Sequence, residues 1–222
     1  MSSTHPAERR FESRPLIWFG VITLALSGLL FFLYPAVRPW HDESTVEGAL
    51  TSMSSDAWVA AHLFAVFALI LMPLGMLALW GLSAGRRGGG LTFAATVITW
   101  VGVGLALPYY GAEDFALHVV GQRSLRMGDP ALTELGDAFR LHPVAATTFV
   151  LGLLLLAVGG VLTAVAISRS GSLPKWSGVP LAAGFVLFFP QFYTPIEVRT
   201  AHGALMAIGC VWVGVSAWRA RS

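Results

Sequence analysis

Five of the six histidines of this chain lie at or near one predicted end of its membrane helices, together with acidic residues and arginines. Imidazole nitrogens ligate haem iron and other metals, and they also act as general acids or bases near neutral pH. His118 follows Asp114 by four residues, and this spacing places a carboxylate and an imidazole on one helical face. A carboxylate that orients a histidine is a common support for a ligand. The five histidines are His41, His62, His118, His142 and His202.

The spacing of these residues excludes several enzyme signatures. The sequence contains no HExxH pair, no GxSxG element and no glycine-rich phosphate loop. Glu113 and Asp114 are adjacent, so they point in different directions on a helix. The single Cys210 excludes an intramolecular disulfide and a thiolate metal cluster. The histidines come singly, one per helix, which suits ligation of a planar cofactor between helices.

Six apolar runs predict an all-α membrane protein with a bundle of six transmembrane helices. The chain is 55% hydrophobic and 12% charged, with a mean hydropathy of +0.70, far more apolar than soluble domains. The fifth run is short, because about 15 residues rise only about 22 Å as a helix. We expect residues 1–14 to form a polar cytoplasmic tail and residues 15–222 to form one transmembrane domain. The runs are Leu16 to Val37, Ala57 to Leu82, Leu91 to Leu107, Pro143 to Ile167, Trp176 to Pro190 and Thr200 to Trp218.

The charges between these runs predict the orientation of the bundle. With a cytoplasmic N-terminus, the inner segments hold nine basic and two acidic residues, a net charge of +7. The outer segments hold five basic and ten acidic residues, a net charge of −5. The bias of Lys and Arg sets topology, so both termini are expected inside and the five histidines at the extracytoplasmic side, in a bacterial cell membrane. This bias accounts for the pI near 9, so we expect a lipid bilayer and no nucleic acid as partner.

The third helix is predicted to be irregular. A continuous helix from Leu91 through Val120 would be about 45 Å long, whereas the hydrocarbon core of a bilayer is about 30 Å thick. Pro108 removes a backbone hydrogen bond and Gly111 weakens the following turn. We therefore expect the membrane helix to bend and end near Tyr110, with residues 112–126 forming a second helix at or above the outer surface.

Two helices carry a local resemblance to a known family. The segment His202–Met206 (His-Gly-Ala-Leu-Met) precedes Trp212 and a basic end at Arg219, and His62 precedes Pro73-Leu74-Gly75. These helices resemble haem-bearing helices of the ascorbate-reducible transmembrane b-type cytochromes. The resemblance implies a haem b near the outer face, with His62 and His202 as the matching ligands. That family holds two haems, one near each face, whereas the inner halves of the helices here have no histidine, so one haem carries over.

We also expect His62 and His202 to face each other across the outer half of the bundle. Each lies near the start of a helix that runs inward, and each has small neighbours, Ala61 beside His62 and Gly203 beside His202. In a haem with two histidine ligands, the two ligating nitrogens lie about 4 Å apart.

Three classes of function stay open. The first is a membrane oxidoreductase with haem b or a single non-haem metal ion at His62 and His202, where Arg140 or Arg199 would pair the haem propionates and a quinol would fit as substrate. The second is an enzyme acting on a lipid or isoprenoid at the outer leaflet. The third is a transporter. Its cargo would be a hydrophobic molecule, because a polar path across the membrane needs charged residues and the inner halves of the helices lack them. The second class would use His62, Glu113, Asp114, His118, His142, Glu197 and His202 as acid, base or ligands.

Overall fold

The computed structural model describes residues 6–85 and 87–220, with side chains from residue 14 onward. His5, the sixth histidine, and Arg86 and Arg221, two of the basic residues of the predicted inner segments, lie outside the described residues. The described chain is helical, with no strand in these ranges. Its α-helices are α1 Pro6–Val37, α2 Val46–Met53, α3 Asp56–Ser83, α4 Gly89–Gly111, α5 Leu117–Met127, α6 Glu134–Arg140, α7 Pro143–Ser170, α8 Val179–Leu187 and α9 Ile196–Arg219.

Five helical segments of the described chain are long and apolar enough to cross a membrane. They carry exposed Trp, Phe, Leu, Ile and Val side chains such as Phe19, Phe67 and Trp100 on their outward faces, as expected for contact with lipid tails. These features fit an integral membrane protein and confirm the all-helical class. The segments are Arg14–Val37, Asp56–Ser83, Gly89–Met127, Pro143–Ser170 and Ile196–Arg219.

The fifth apolar run does not form a sixth helix of membrane-spanning length. Its helix α8 has nine residues and therefore rises only about 13 Å. After Leu187 the chain turns into a short 3-10 helix, Pro190–Tyr193. Pro190 interrupts the regular helical hydrogen-bond pattern there, because proline has no backbone N–H to donate. Of the six predicted spans, five therefore correspond to helices long and apolar enough to cross a membrane, and the fifth run does not.

The helices form a closed ring. α1 packs beside α3 and α9, α3 beside α4, α4 beside α7, α7 beside α8, and α8 beside α9. Neighbours run in opposite directions: Gly20 near the start of α1 contacts Ala78 near the end of α3, and along α7 Gly152 meets Ala106 whereas the later Gly159 meets the earlier Thr99 of α4. Trp18 of α1 lies against Trp218 of α9, with ring centroids 6.4 Å apart. The two ends of the described chain therefore lie at the same end of the ring. The opposite end, where α1 and α4 finish and α3, α7 and α9 begin, is called the cavity end below.

The predicted irregularity of the third helix is a π-helical turn, Ala112–Ala116, between α4 and α5. It begins four residues after Pro108, which lies inside α4. The chain stays helical through Met127, so the helix type changes near Tyr110 while the helix itself continues. Single π-turns inside α-helices are frequent at functional sites.

A small cap covers part of the cavity end. It consists of α2, the π-turn, α5 and α6, and it has its own apolar cluster of Ala49, Met53, Trp58 and Leu117 with Phe139 packed against it. Trp58 belongs to α3 and is fully buried, and its Nε1 donates a 2.7 Å hydrogen bond to the backbone oxygen of Glu113. This bond ties the π-turn to the first turn of α3.

The orientation of the ring is a testable prediction. If both termini are cytoplasmic, a reporter active only in the cytoplasm should be active when fused after residue 222 or inserted within residues 83–90. The same reporter inserted within residues 128–137 should be silent, because that segment belongs to the cavity end. Activity at residues 128–137 and silence at the other two positions would show that the cavity faces the cytoplasm.

Candidate functional site

A cavity of about 540 Å³ lies at the cavity end of the ring. This is within the range of small-molecule sites, about 300–1,000 Å³. Side chains from α1, α3, α4, α6, α7 and α9 line it, together with the π-turn and the segments that follow α1 and α8. It reaches the surface at Leu141 and Tyr193, which are 77% and 78% exposed. Its charged and imidazole-bearing lining residues are Arg38, His41, Asp42, Glu43, His62, Glu113, Arg140 and Arg199.

His62 lines the inner part of the cavity and is almost fully buried. Its Nδ1 lies 2.8 Å from the backbone oxygen of Trp58, one helical turn earlier. Because a carbonyl oxygen only accepts hydrogen bonds, Nδ1 carries the proton and the neutral ring keeps its lone pair on Nε2. The rings of Tyr34 and Trp58 pack against the imidazole with centroids 5.6 Å and 4.4 Å away. His62 is therefore held in the tautomer of a base or a metal ligand.

Two arginines and two glutamates form a buried network on the cap side of the cavity. Arg140 makes two hydrogen bonds to the carboxylate of Glu113, at 2.7 Å and 2.9 Å, and a third, of 2.9 Å, to Glu43. Arg38 donates a 2.6 Å hydrogen bond to the other oxygen of Glu43. Burial alone lowers the pKa of Arg140, but the hydrogen bonds and charges of Glu113 and Glu43 raise this pKa above its ordinary value. The network fixes the position of the Glu113 side chain at the cavity wall.

Aromatic rings supply most of the remaining wall. Tyr109 of α4 stacks on Phe149 of α7, with centroids 4.1 Å apart and an interplanar angle of 16°. Tyr110 lies edge-on to both Tyr34 and Phe149. The hydroxyl of Tyr110 is buried and has no hydrogen-bond partner among the described residues. A ligand in this cavity would thus meet flat apolar surfaces and a small number of polar groups.

His202 lies against a different and much smaller cavity, of about 10 Å³. Its Nε2 lies 2.8 Å from the backbone oxygen of Gly184, and its ring stacks on Phe188. A space of this size holds about one water molecule. Tyr34 and Arg199 line both cavities. In this arrangement His202 uses its Nε2 for a backbone hydrogen bond, and the cavity beside it is too small for a macrocycle.

The structure separates the other acid–base candidates from this cavity. Asp114 in the π-turn and His118 in the first turn of α5 do not line it, and His118 Nδ1 donates a 2.9 Å hydrogen bond to the backbone oxygen of Met53. His142 is exposed at the N-cap of α7 and makes no side-chain capping bond. Glu197 is exposed in the first turn of α9. Of the predicted site residues, the structure brings together His62, Glu113, Arg140 and Arg199. In the described ranges no group of three or more His, Cys, Asp or Glu side chains is placed to hold a metal ion.

Sequence reasoning missed several residues of this cavity. In the sequence, Arg38 and Glu43 were counted only among the charges that predict the topology. Trp40, Tyr109 and Tyr110 were not identified as candidate site residues. A usable signal was present, because Arg38, Trp40 and Glu43 stand together just after the first apolar run and Tyr109 and Tyr110 stand just before Glu113.

Asp114 is a buried carboxyl group without a hydrogen bond. The residue is 0% exposed, and neither of its side-chain oxygens has a partner among the described residues. Burying such a group costs about 1–3 kcal/mol. Asp114→Leu is therefore expected to raise the free energy of unfolding by about 1–3 kcal/mol, measured by unfolding in detergent, while exposed Asp137→Leu changes it little. A loss of stability in Asp114→Leu would mean that this carboxyl group has a partner in the membrane.

The likeness of two helices to the ascorbate-reducible b-type cytochromes stays a prediction. No protein-family model matches the chain, and no curated protein and no solved structure is significantly similar to it.

Proposed function

We propose that this protein is a membrane enzyme that binds an amphiphile of the lipid or isoprenoid class in the cavity, at the extracytoplasmic face, and transfers a proton to or from the polar part of that molecule. The observation that carries the proposal is the composition of the cavity wall. It joins a tautomerically fixed imidazole and a fixed carboxylate to large aromatic surfaces, inside a ring of apolar helices.

The polar part of the wall supports binding of a polar headgroup. Tyr110 contributes a buried hydroxyl without a partner among the described residues, and His62 lines the cavity with Nδ1 bonded to the Trp58 oxygen, which leaves Nε2 for a ligand. Buried polar groups in native proteins are nearly always satisfied, so unsatisfied ones at a cavity wall point to a ligand or water that satisfies them. A base must lie within hydrogen-bond reach of the proton it removes, and His62, as a lining residue, can contact a headgroup that enters the cavity.

The apolar part of the wall supports binding of a hydrocarbon tail. On the α7 side the cavity is lined by Ala146 and Val150, and opposite them by Phe189 and Tyr193, which follow α8. Because α8 is short, the chain at this level is a 3-10 turn in place of a full helix. Leu141 and Tyr193 are exposed at this rim. An amphiphile with its headgroup at His62 can therefore extend its tail along an apolar rim.

Loss of His62 should reduce turnover strongly. Purified protein in neutral detergent would be incubated with a total membrane lipid extract, and the products followed by mass spectrometry. His62→Gln is expected to lower the rate of product formation by about 10²–10⁴-fold, the usual contribution of a general base.

The matched control for this experiment is His142→Gln, because His142 is exposed and lies outside the cavity lining. It should keep the rate of the original protein. Equal rates of product formation in the original protein and in the His62→Gln variant would show that His62 is not the base. Loss of activity in His142→Gln with retention in His62→Gln would move the chemistry to the region of His118 and His142.

A haem b held by His62 is a second candidate, supported by the hydrogen bond from Nδ1 to the Trp58 carbonyl. Ligating histidines usually make such a bond with their second nitrogen. Arg140 and Arg199 line the same cavity and would pair propionates, and the haem would supply one-electron chemistry. An absorption spectrum of the purified protein separates the two candidates, since a haem gives a reducible Soret band that His62→Ala should remove, whereas the exposed rim variant His41→Ala should keep it.

A further inference from the structure

We infer that the headgroup of the amphiphile is an anion, a phosphate or a carboxylate, bound by Arg38 and Arg199 beside Trp40. This inference rests on the proposed function and names the chemistry of its ligand. It comes from an imbalance of charge in the inner cavity, from two guanidinium groups that share one aromatic ring, and from a buried N–H group without an acceptor.

The inner cavity carries more positive than negative charge. Three guanidinium groups, those of Arg38, Arg140 and Arg199, face two carboxylates, those of Glu43 and Glu113. The two carboxylates are taken up by Arg38 and Arg140. In the described part of the chain Arg199 has no carboxylate within ion-pair distance. One positive charge, that of the partly buried Arg199, is therefore left without a carboxylate partner among the described residues, and it would attract a bound anion.

Asp42 is the remaining acidic residue of the lining, and it lies at the exposed rim. Its Oδ1 accepts hydrogen bonds from the backbone N–H and the hydroxyl of Ser44, at 3.1 Å and 2.6 Å. These bonds hold the carboxylate on its own turn, in contact with solvent. Asp42 is thus screened by water and does not neutralise Arg199.

Trp40 holds two of the guanidinium groups. The Cζ atoms of Arg38 and Arg199 lie 4.3 Å and 4.8 Å from the ring centroid. The indole is fixed in turn by a 2.8 Å hydrogen bond from its Nε1 to the backbone oxygen of Pro35. Both charges are therefore positioned before any ligand arrives, which lowers the entropy cost of binding an anion.

Both guanidinium groups keep unused donors. The side chain of Arg38 is only 9% exposed, and its Nε has no hydrogen-bond partner among the described residues. Arg199 donates from Nε to the backbone oxygen of Thr194 at 2.8 Å and from one terminal nitrogen to that of Phe192. Its other terminal nitrogen bonds to no described residue. Guanidinium donors match the oxygens of phosphate and carboxylate, and such charge-assisted bonds are about twice as strong as neutral ones.

The test is a headgroup series on the intact protein in neutral detergent, followed by isothermal titration calorimetry. The ligands share one dodecyl chain and differ in the head: dodecyl phosphate, dodecanoate, dodecanol and dodecyltrimethylammonium. Inorganic phosphate is the fifth ligand, without a tail. We expect dodecyl phosphate and dodecanoate to bind at least about tenfold tighter than dodecanol, the cationic amphiphile to bind weakest, and inorganic phosphate to bind much more weakly than dodecyl phosphate.

Two variants locate the binding. Arg199→Gln should reduce the affinity for dodecyl phosphate about tenfold and leave that for dodecanol unchanged. Arg126→Gln, on the exposed surface of α5, should change neither. The headgroup series on the original protein decides the matter even if Arg199→Gln fails to fold.

The outcomes separate this inference from the proposed function. If the neutral and anionic amphiphiles bind alike and Val150→Trp, which fills the cavity, abolishes the binding of both, the anion inference is overturned and the amphiphile site stands. If inorganic phosphate binds as tightly as dodecyl phosphate, the anion site stands and the amphiphile function is overturned. If no ligand of the series binds, both are overturned.

Discussion

Replacement of Arg140 by methionine is expected to lower the free energy of unfolding by about 3–5 kcal/mol. Arg140 donates two hydrogen bonds to Glu113 and one to Glu43. The side chains of Glu113 and Glu43 are only 10% and 17% exposed. Without Arg140, the carboxylate of Glu113 keeps no ion-pair partner among the described residues and that of Glu43 keeps Arg38 alone. The loss would come from the cost of a buried, unpaired charge. Chemical or thermal unfolding in detergent measures it.

The double variant Arg140→Met with Glu113→Met distinguishes this explanation from a loss of packing. Replacing both partners of a buried ion pair with apolar groups is often neutral or stabilising, so the double variant should be more stable than Arg140→Met alone. Arg126→Met, at an exposed position of α5, should stay within about 0.5 kcal/mol of the original protein. If Arg140→Met costs no more than Arg126→Met, water reaches the network and the ion pairs contribute little.

The sequence was sufficient to predict the five long helices, because each needs a run of about 20 apolar residues and few other folds use such runs. It was not sufficient for the run from Trp176 to Pro190, where hydropathy continued beyond the nine residues of α8. Burial explains the difference. Leu181 and Phe185 are apolar because they pack inside the ring against α7 and α9, and a hydropathy average does not distinguish that packing from contact with lipid.

The cavity was predicted in part. His62, Glu113, Arg140 and Arg199 were expected near one face, because charged groups in a membrane protein gather at the helix ends. The pair Asp114 and His118 has the predicted spacing of one helical turn but does not line the cavity, since the spacing fixes a common face and not the direction of that face. Partners far apart in sequence, such as Glu43 with Arg140, depend on how the cap folds over the ring.

Gly102→Leu is expected to destabilise the protein by about 3 kcal/mol or more through steric overpacking. A Cβ atom at Gly102 would lie 2.8 Å from the backbone oxygen of Gly152 and 3.0 Å from the backbone nitrogen of Leu156, both in α7. Backbone atoms inside a packed helix have no rotamer by which to move away. The two helices would have to separate. Thermal unfolding in detergent is the measurement.

Gly104→Leu is the matched control on the same helix, because a Cβ atom at Gly104 would meet nothing within 4 Å and the position is exposed. Leucine favours a helix over glycine by up to about 1 kcal/mol, so Gly104→Leu should be neutral or stabilising. An equal loss in both variants would show that residue size anywhere on α4, and not the contact with α7, limits stability.

The contact at Gly102 also sets the width of the cavity. Tyr109 follows Gly102 by two helical turns on α4, and it stacks on Phe149 of α7, which precedes Gly152 by three residues. A wedge between the helices at Gly102 and Gly152 would pull Tyr109 from Phe149 and open the aromatic wall. Any Gly102→Leu protein that folds should therefore bind dodecyl phosphate more weakly than Gly104→Leu does, although neither substitution touches a lining residue.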